Sequence, residues 1–243
     1  MREKMHVNTQ AIFVTGTDTG VGKTFICSLL FGFLRKKGID VGYQKWVSTG
    51  GDIPEDLVFC LQHNGLTIDK EELEMQVPYR FLLPASPHLA AEQEKKDIDP
   101  SIILRRFEEC EKEHQLLLVE GVGGLMVPLR RDLFLADFCA SGQLPTVIVA
   151  RSGLGTLNHT FLTIEALRKR TIPILGVIFC DEASGMPQDD LLINDNMRTI
   201  GEMGSVTIFG RLPRCNIYED AREAFSPIGE AIFSALTAED GPG

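Results

Sequence analysis

Lys23 and Thr24 close the run Gly16-Thr17-Asp18-Thr19-Gly20-Val21-Gly22-Lys23-Thr24, a set of residue types suited to holding and transferring a phosphoryl group. The glycines let the backbone curl so that its N–H groups point inward onto an anion. A helix starting behind them adds further N–H donors and a partial positive charge. Lys23 would reach the β- and γ-phosphates, and the Thr24 hydroxyl would ligate Mg²⁺. Thr17, Asp18, Thr19, Gly20, Val21, Gly22 and Phe25 complete the expected nucleotide contacts. Five residues, rather than the usual four, separate Gly16 from Gly22. A glycine turn with a merely solvated lysine is the plainer alternative, but the strand-turn-helix context favours a nucleotide site.

Three more residues could share that chemistry. Glu120 ends the apolar run Leu116-Leu117-Leu118-Val119, and a lone acid there is costly to bury unpaired. Beside a triphosphate it can hold Mg²⁺ directly or through water. Gly121, Gly123 and Gly124 follow it and would let a substrate approach the backbone. Lys45 stands at the end of a second apolar stretch; alone it reads as a snorkelling surface lysine. Asp56, near Asp52 and Glu55, could be a metal ligand or a solvated charge at a helix start.

These residues need a scaffold. Residues 11–15 form a short apolar run, and Phe25, Ile26, Leu29, Leu30, Phe33 and Leu34 then recur at helical spacing up to Lys36-Lys37-Gly38. Further strands are expected over 40–47, 116–120, 146–150, 174–179 and 205–209. Helices are expected over 54–63, through Ile102 to Cys110, over 158–169 and over 228–236. Residues 64–100, rich in acids and broken by Pro78, Pro84, Pro87 and Pro100, read as the least regular part. Apolar strands alternating with helices predict an α/β fold of the P-loop NTPase kind, with a mainly parallel sheet covered on both faces. No composition break or repeat divides the chain, so residues 1–243 are expected to form one domain with a core of about 11–236. In such a sheet ligands sit beyond the carboxyl ends of the strands, which gathers the loops after Thr15, Lys45, Glu120 and Ala150.

Composition narrows the class. Hydrophobic residues make up 44% of 243, and the net charge of −10 argues against a nucleic-acid surface. No apolar run is long enough to span a membrane, and the first ten residues lack the apolar middle of a signal peptide. The six cysteines form no C-x-x-C pair and read as reduced, mostly structural thiols in a cytoplasmic protein.

Taken together, five segments resemble the dethiobiotin synthetase family. They are the loop at 16–24, Gly-Tyr-Gln-Lys-Trp-Val-Ser-Thr-Gly at 42–50, Pro-Ala-Ser-Pro-His-Leu-Ala-Ala at 84–91, Glu-Gly-Val-Gly-Gly at 120–124 and Ala-Arg-Ser-Gly-Leu-Gly-Thr-Leu-Asn-His-Thr at 150–160. They occur in the family's order, and the extra loop residue is itself a family mark. Beyond residue 180 the match is looser, through Gly210-Arg211-Leu212-Pro213, which places Leu212 and Pro213 beside the nucleotide.

The resemblance implies an enzyme that carboxylates 7,8-diaminononanoate with CO₂, phosphorylates the carbamate with ATP or another nucleoside triphosphate, and closes the ureido ring with loss of phosphate. By the same resemblance Mg²⁺ would be held by Thr24, Glu120 and Asp56. Lys45 would stabilise the carbamate and the charge developing on transfer, with Lys23 and Thr19 as the other catalytic groups. Thr49, Gly121 and Gly123 would meet substrate. The substrate carboxylate would meet Gly155, Thr156, Leu157 and Asn158 of a partner subunit, so a homodimer is implied. His88 and His159 lie inside family motifs and are expected to serve structural hydrogen bonding.

Three departures stand out. Trp46 follows Lys45 where the family has proline, which is expected to reshape the substrate wall. Glu55-Asp56-Leu57 replaces the family's Ser-Asp-Ala. Cys180 stands where an asparagine commonly reads the base, and a thiol lacks an amide's paired donor and acceptor. Two rival classes share the loop. A regulatory ATPase of the partitioning or septum-placement class would carry its signature lysine at position 18, where this chain has Asp18. A cobyrinate-type amidotransferase ligase needs a glutamine-hydrolysing domain for which this chain is too short.

Overall fold

The computed structural model describes residues 7–67, 70–181 and 190–238. Its elements run β1 (Ala11–Gly16), α1 (Lys23–Lys36), β2 (Val41–Lys45), β3 (Val47–Thr49), α2 (Glu55–His63), α3 (Lys70–Gln76), β4 (Tyr79–Phe81), α4 (Pro87–Gln93) and α5 (Pro100–Glu113). Then follow β5 (Leu116–Gly124), β6 (Pro128–Arg130), β7 (Leu133–Phe134), α6 (Leu135–Gly142), β8 (Thr146–Arg151), α7 (Thr156–Lys169), β9 (Ile174–Cys180), α8 (Asp190–Gly204), β10 (Ile208–Leu212) and α9 (Tyr218–Thr237).

Six strands form one parallel sheet in the order β10-β9-β8-β1-β5-β2. Successive side chains of a strand point to opposite faces, so each central strand feeds two cores. Ile12, Val14, Leu116, Leu118, Val147 and Val149 pack with α1, α2 and α9. Phe13, Leu117, Val119, Ile148 and Ala150 pack on the other face with α5, α6 and α7. Each large side chain buried in this way contributes roughly 1.5–3 kcal/mol. β1 lies between β5 and β8, and the chain turns to opposite sides of it, which opens a crevice at its carboxyl end.

Several boundaries differ from the sequence expectation. The strand expected over 40–47 stops at Lys45, and β3 leaves it to pair with β4 in a separate two-stranded sheet. Residues 64–100 are more regular than expected, carrying α3, β4 and α4. Their prolines start helices as well as break chain: Pro87 and Pro100 each occupy a first turn, where a missing N–H costs nothing. Asp99 caps α5 by accepting from the Ser101 N–H at 2.9 Å. The last strand sits three residues later than 205–209, because Gly210 (φ 141°) and Arg211 interrupt the apolar pattern without ending the ladder. α9 begins at Tyr218, ten residues before the expected start, with Pro227 inside it and Ala221, Phe225, Ile228, Ile232 and Leu236 on its buried face. The β6–β7 hairpin, α6 and α8 were not expected. Among the described residues no helix is long and apolar enough to cross a membrane.

Candidate active site

A crevice of about 780 Å³ opens beyond the carboxyl ends of β1, β2, β5, β8 and β9. The loop between β1 and α1 forms its floor, from Thr19 to Phe25. Gly22 adopts φ 96° at the helix start, and a Cβ there would lie 2.8 Å from Cys180 Sγ, so glycine is needed for both conformation and space. Lys23 Nζ donates to the Asp18 carbonyl across 2.9 Å, bending back over the loop. Burial lowers the Lys23 pKa to about 8, against a partial counter-effect of Glu120.

Lys45 and Thr24 each bridge the two carboxylates Asp56 and Glu120. Lys45 Nζ donates to Glu120 Oε1 at 2.8 Å and forms a shorter ion pair with Asp56 Oδ2. Thr24 Oγ1 lies 2.6 Å from Asp56 Oδ1 and 2.7 Å from Glu120 Oε1. A hydroxyl has one proton to donate, so it cannot satisfy both carboxylates at once. Three hard oxygens gathered beside a phosphate loop match the donor set of Mg²⁺. Among the described residues no group of three or more His, Cys, Asp or Glu could hold a metal unaided. A cation here depends on the threonine hydroxyl and on phosphate oxygens as well.

The electrostatics follow from burial. Desolvation alone would lower Lys45, but Glu120 and Asp56 overcome it and hold the ammonium above its ordinary value. Burial would raise Asp56, yet Lys45 and the Thr24 hydroxyl keep it below the ordinary carboxylate range. Tyr43, which the sequence reading did not single out as a site residue, donates its phenol to Glu120 Oε2 at 2.6 Å. Its position two residues before Lys45, hence on the same strand face, was the available signal. Burial and then Glu120 push the Tyr43 phenol well above its ordinary pKa, so it stays a donor.

The far wall is formed by Cys180, Asp181, Pro213, Arg214 and Cys215, with Phe25 and Phe59 nearby. Burial pushes the Cys180 thiol up to about 12, helped by Asp181 and Cys215. Asp181 is turned away into structure: Arg211 grips it with two hydrogen bonds of 2.9 and 2.8 Å, and the Ser152 hydroxyl donates to it. Arg151, also missed by sequence reasoning, lines the crevice and reaches Asp18 at 3.3 Å.

The remaining expected residues divide. Thr49 and Gly123 line the crevice, with Gly123 in a left-handed turn beside Thr19. Gly121 instead backs onto the Phe13 ring, and Leu212 is fully buried with its carbonyl accepting the Asp181 N–H. The Thr17 hydroxyl is buried without a hydrogen-bond partner among the described residues. Gly155, Thr156, Leu157 and Asn158 form the start of α7 and do not line this crevice. There the Thr156 hydroxyl faces Thr160 at 3.3 Å, while Asn158 and Leu154 are exposed. Trp46 does not line the crevice. It points to the opposite face and stacks on Phe13, edge-on to Phe107 and Phe138. The His88 Nδ1 is buried without a partner among the described residues, contrary to the expected structural hydrogen bond.

Comparison with known proteins gives a consistent result. A family model described as an AAA domain matches residues 10–222. The ATP-dependent dethiobiotin synthetase BioD of Methanococcus vannielii is 41% identical over 201 residues, covering 82% of this chain and 91% of that protein. The BioD of Rhizorhabdus wittichii is 43% identical, covering 96% of this chain and 98% of its own. Among solved structures, the MinC:MinD cell division complex of Aquifex aeolicus superimposes with a TM-score of 0.61 at 14% identity, covering 97% of this chain and 98% of that one. A ParA family ATPase from Chlorobium tepidum gives 0.52 at 13%, covering 96% and 100%. At such identity the likeness to partitioning and septum-placement ATPases is one of fold alone.

Proposed function

The chain belongs to the dethiobiotin synthetase family, and we propose that this crevice binds ATP with Mg²⁺ and closes 7,8-diaminononanoate and CO₂ into dethiobiotin. The activity is that of an ATP-dependent ligase, and the septum-placement alternative falls to a relation of fold. One observation carries the assignment of roles: Lys45 and Thr24 both bridge Asp56 and Glu120 at the lip of a phosphate loop.

In this reading one amine of the substrate attacks CO₂ and, on losing a proton, becomes a carbamate. A carbamate oxygen then attacks the γ-phosphorus and ADP leaves. The second amine attacks the resulting mixed anhydride, phosphate departs, and the ureido ring closes. Phosphoryl transfer rewards positioning and charge neutralisation over covalent participation, which suits a site without an activated nucleophile. The backbone N–H groups of Thr19 to Thr24 cradle the phosphates, and Lys23 shifts from the Asp18 carbonyl to the transferring group. Thr24, Asp56 and Glu120 would hold Mg²⁺, which when bound would neutralise the charge that develops on the phosphates. Lys45, paired with Asp56 and Glu120 in the free protein, would turn its ammonium toward the carbamate once those carboxylates are shared with a cation. Thr49 and Gly123, on the same wall, contact the diamine.

We assign the nonanoate carboxylate to the α7 start of a partner subunit, where Gly155 to Asn158 begin a helix without a side-chain cap beside the exposed Leu154. The chain thus acts as a homodimer, each subunit a single catalytic domain. All six cysteines are free thiols, which supports work in the reducing cytoplasm. The test is product formation: the protein with 7,8-diaminononanoate, ¹³C-bicarbonate, ATP and Mg²⁺ yields dethiobiotin labelled at the ureido carbon. Unlabelled or absent product would refute the assignment.

A further inference from the structure

Glu120 uses its two oxygens differently. Oε1 faces the crevice and meets Lys45 and Thr24 at 2.8 and 2.7 Å. Oε2 faces inward and accepts the Tyr43 phenol at 2.6 Å. Tyr43 and Glu120 are each about 1% exposed, so neither group has water as an alternative partner. The placement comes from the strands. In the β2–β5 ladder Lys45 is opposite Glu120 and Tyr43 is opposite Leu118, and residues two apart on a strand share a face. One strand face therefore delivers an ammonium to one oxygen and a phenol to the other.

We propose that Tyr43 is a positioning residue for the phosphoryl transfer, holding Glu120 so that Oε1 alone is presented to the metal and to Lys45. A carboxylate terminus rotates freely, because its last torsion is broad and two-fold. Without the phenol, Oε2 would be a buried acceptor with no donor, and Glu120 would turn to share both oxygens with Lys45. That would spoil a single-oxygen contact and tighten the hold on Lys45. Tyr43 does not line the crevice, and its effect passes through its hydrogen bond to Glu120. This inference rests on the assignment of Glu120 as a metal ligand, but does not need the diamine.

The experiment is a titration of Mn²⁺, as a paramagnetic substitute for Mg²⁺, onto the protein with ADP, followed by electron paramagnetic resonance. Tyr43→Phe keeps the ring in the core and deletes only the hydroxyl. It is expected to weaken Mn²⁺ about tenfold and to lower kcat by a similar factor, the mark of roughly one lost charge-assisted hydrogen bond. KM for the diamine should stay within about twofold, since the change acts on a group outside the diamine's contacts. In a Glu120→Gln background Tyr43→Phe should weaken Mn²⁺ no further, because residues acting through one another are not additive. If Tyr43→Phe does not fold, Tyr43→Met repeats the comparison with a side chain of similar reach and no donor. Unchanged Mn²⁺ affinity in the single variant, or a full further loss in the Glu120→Gln background, overturns the proposal. Wild-type protein that binds Mn²⁺·ADP yet leaves diaminononanoate unchanged would instead strike the functional assignment.

Discussion

Lys45 and Glu120 are opposite one another in the β2–β5 register, and their side chains close a 2.8 Å ion pair that is almost wholly buried. Lys45, the last residue of β2, thus meets an opposite charge carried within β5, beside the strand from which the phosphate loop leaves. A buried pair of this kind adds little net stability, because desolvation offsets the attraction. Its persistence at the crevice points to a role in handling charge that arrives with the nucleotide.

Removing Lys45 should therefore leave Asp56 and Glu120 crowded and uncompensated. Lys45→Ala is expected to lose about 3–5 kcal/mol of stability in metal-free buffer, the usual penalty for breaking a buried pair. Mg²⁺ should restore part of that loss, so thermal melts of the variant gain more from Mg²⁺ than wild type does. Equal gains in both proteins would show that the carboxylates do not share the lysine's place with a cation.

Lys23 gives a pH signature. With a pKa of about 8 in the free protein it is mostly neutral at pH 9, whereas a bound triphosphate would hold it charged. Nucleotide binding should then take up a proton, and affinity should fall by up to about tenfold per pH unit above pH 8. The stability of the free fold runs the other way. Between pH 8 and the ordinary value of 10.5 the unfolded chain binds a proton that the folded one does not, so this group adds stability as pH rises. Calorimetry in buffers of different ionisation enthalpy reads the proton directly. Binding that is flat from pH 7 to 9.5 would rule it out.

The base wall presents Cys180, Pro213 and Cys215, and Asp181 is committed to Arg211 and Ser152. Among the described residues that line the crevice there is no asparagine or glutamine. ATP, CTP and GTP should accordingly differ in kcat/KM by less than about a hundredfold, or 2.7 kcal/mol. A larger preference would mean that Arg214 or the backbone reads the base edge.

Trp46 is the chain's single tryptophan and lies in the second core, away from the crevice. Trp46→Ala should cost about 3–5 kcal/mol of stability through the cavity it leaves. Denaturant unfolding measures that loss, and ATP affinity of the folded variant should stay within about threefold, since the ring touches no ligand. A variant that is stable but does not bind ATP would show that Trp46 acts on Lys45.

Much of this was legible in the chain. The glycines and Lys23-Thr24 behind an apolar strand specify the loop by local chemistry, and Glu120 betrayed itself as one acid closing four buried residues. What escaped depends on tertiary packing. Tyr43 looks like any aromatic in a strand until the ladder places Glu120 next to it. Asp181 carries no signal of its ion pair until the fold brings Arg211, 30 residues later, against it. The closing helix was expected only from residue 228, yet the apolar stripe on both sides of Pro227 carries α9 back to Tyr218. Gly155 to Asn158 match a site motif but sit outside the crevice of their own chain, a placement that the local sequence did not reveal.

The most direct measurement is phosphate release from ATP and Mg²⁺, with and without diaminononanoate plus bicarbonate, in wild type and Lys45→Ala. The account predicts release that requires the diamine and that falls at least about a hundredfold in the variant, equivalent to 2.7 kcal/mol of transition-state stabilisation. Release indifferent to the diamine, or a variant as fast as wild type, would contradict it.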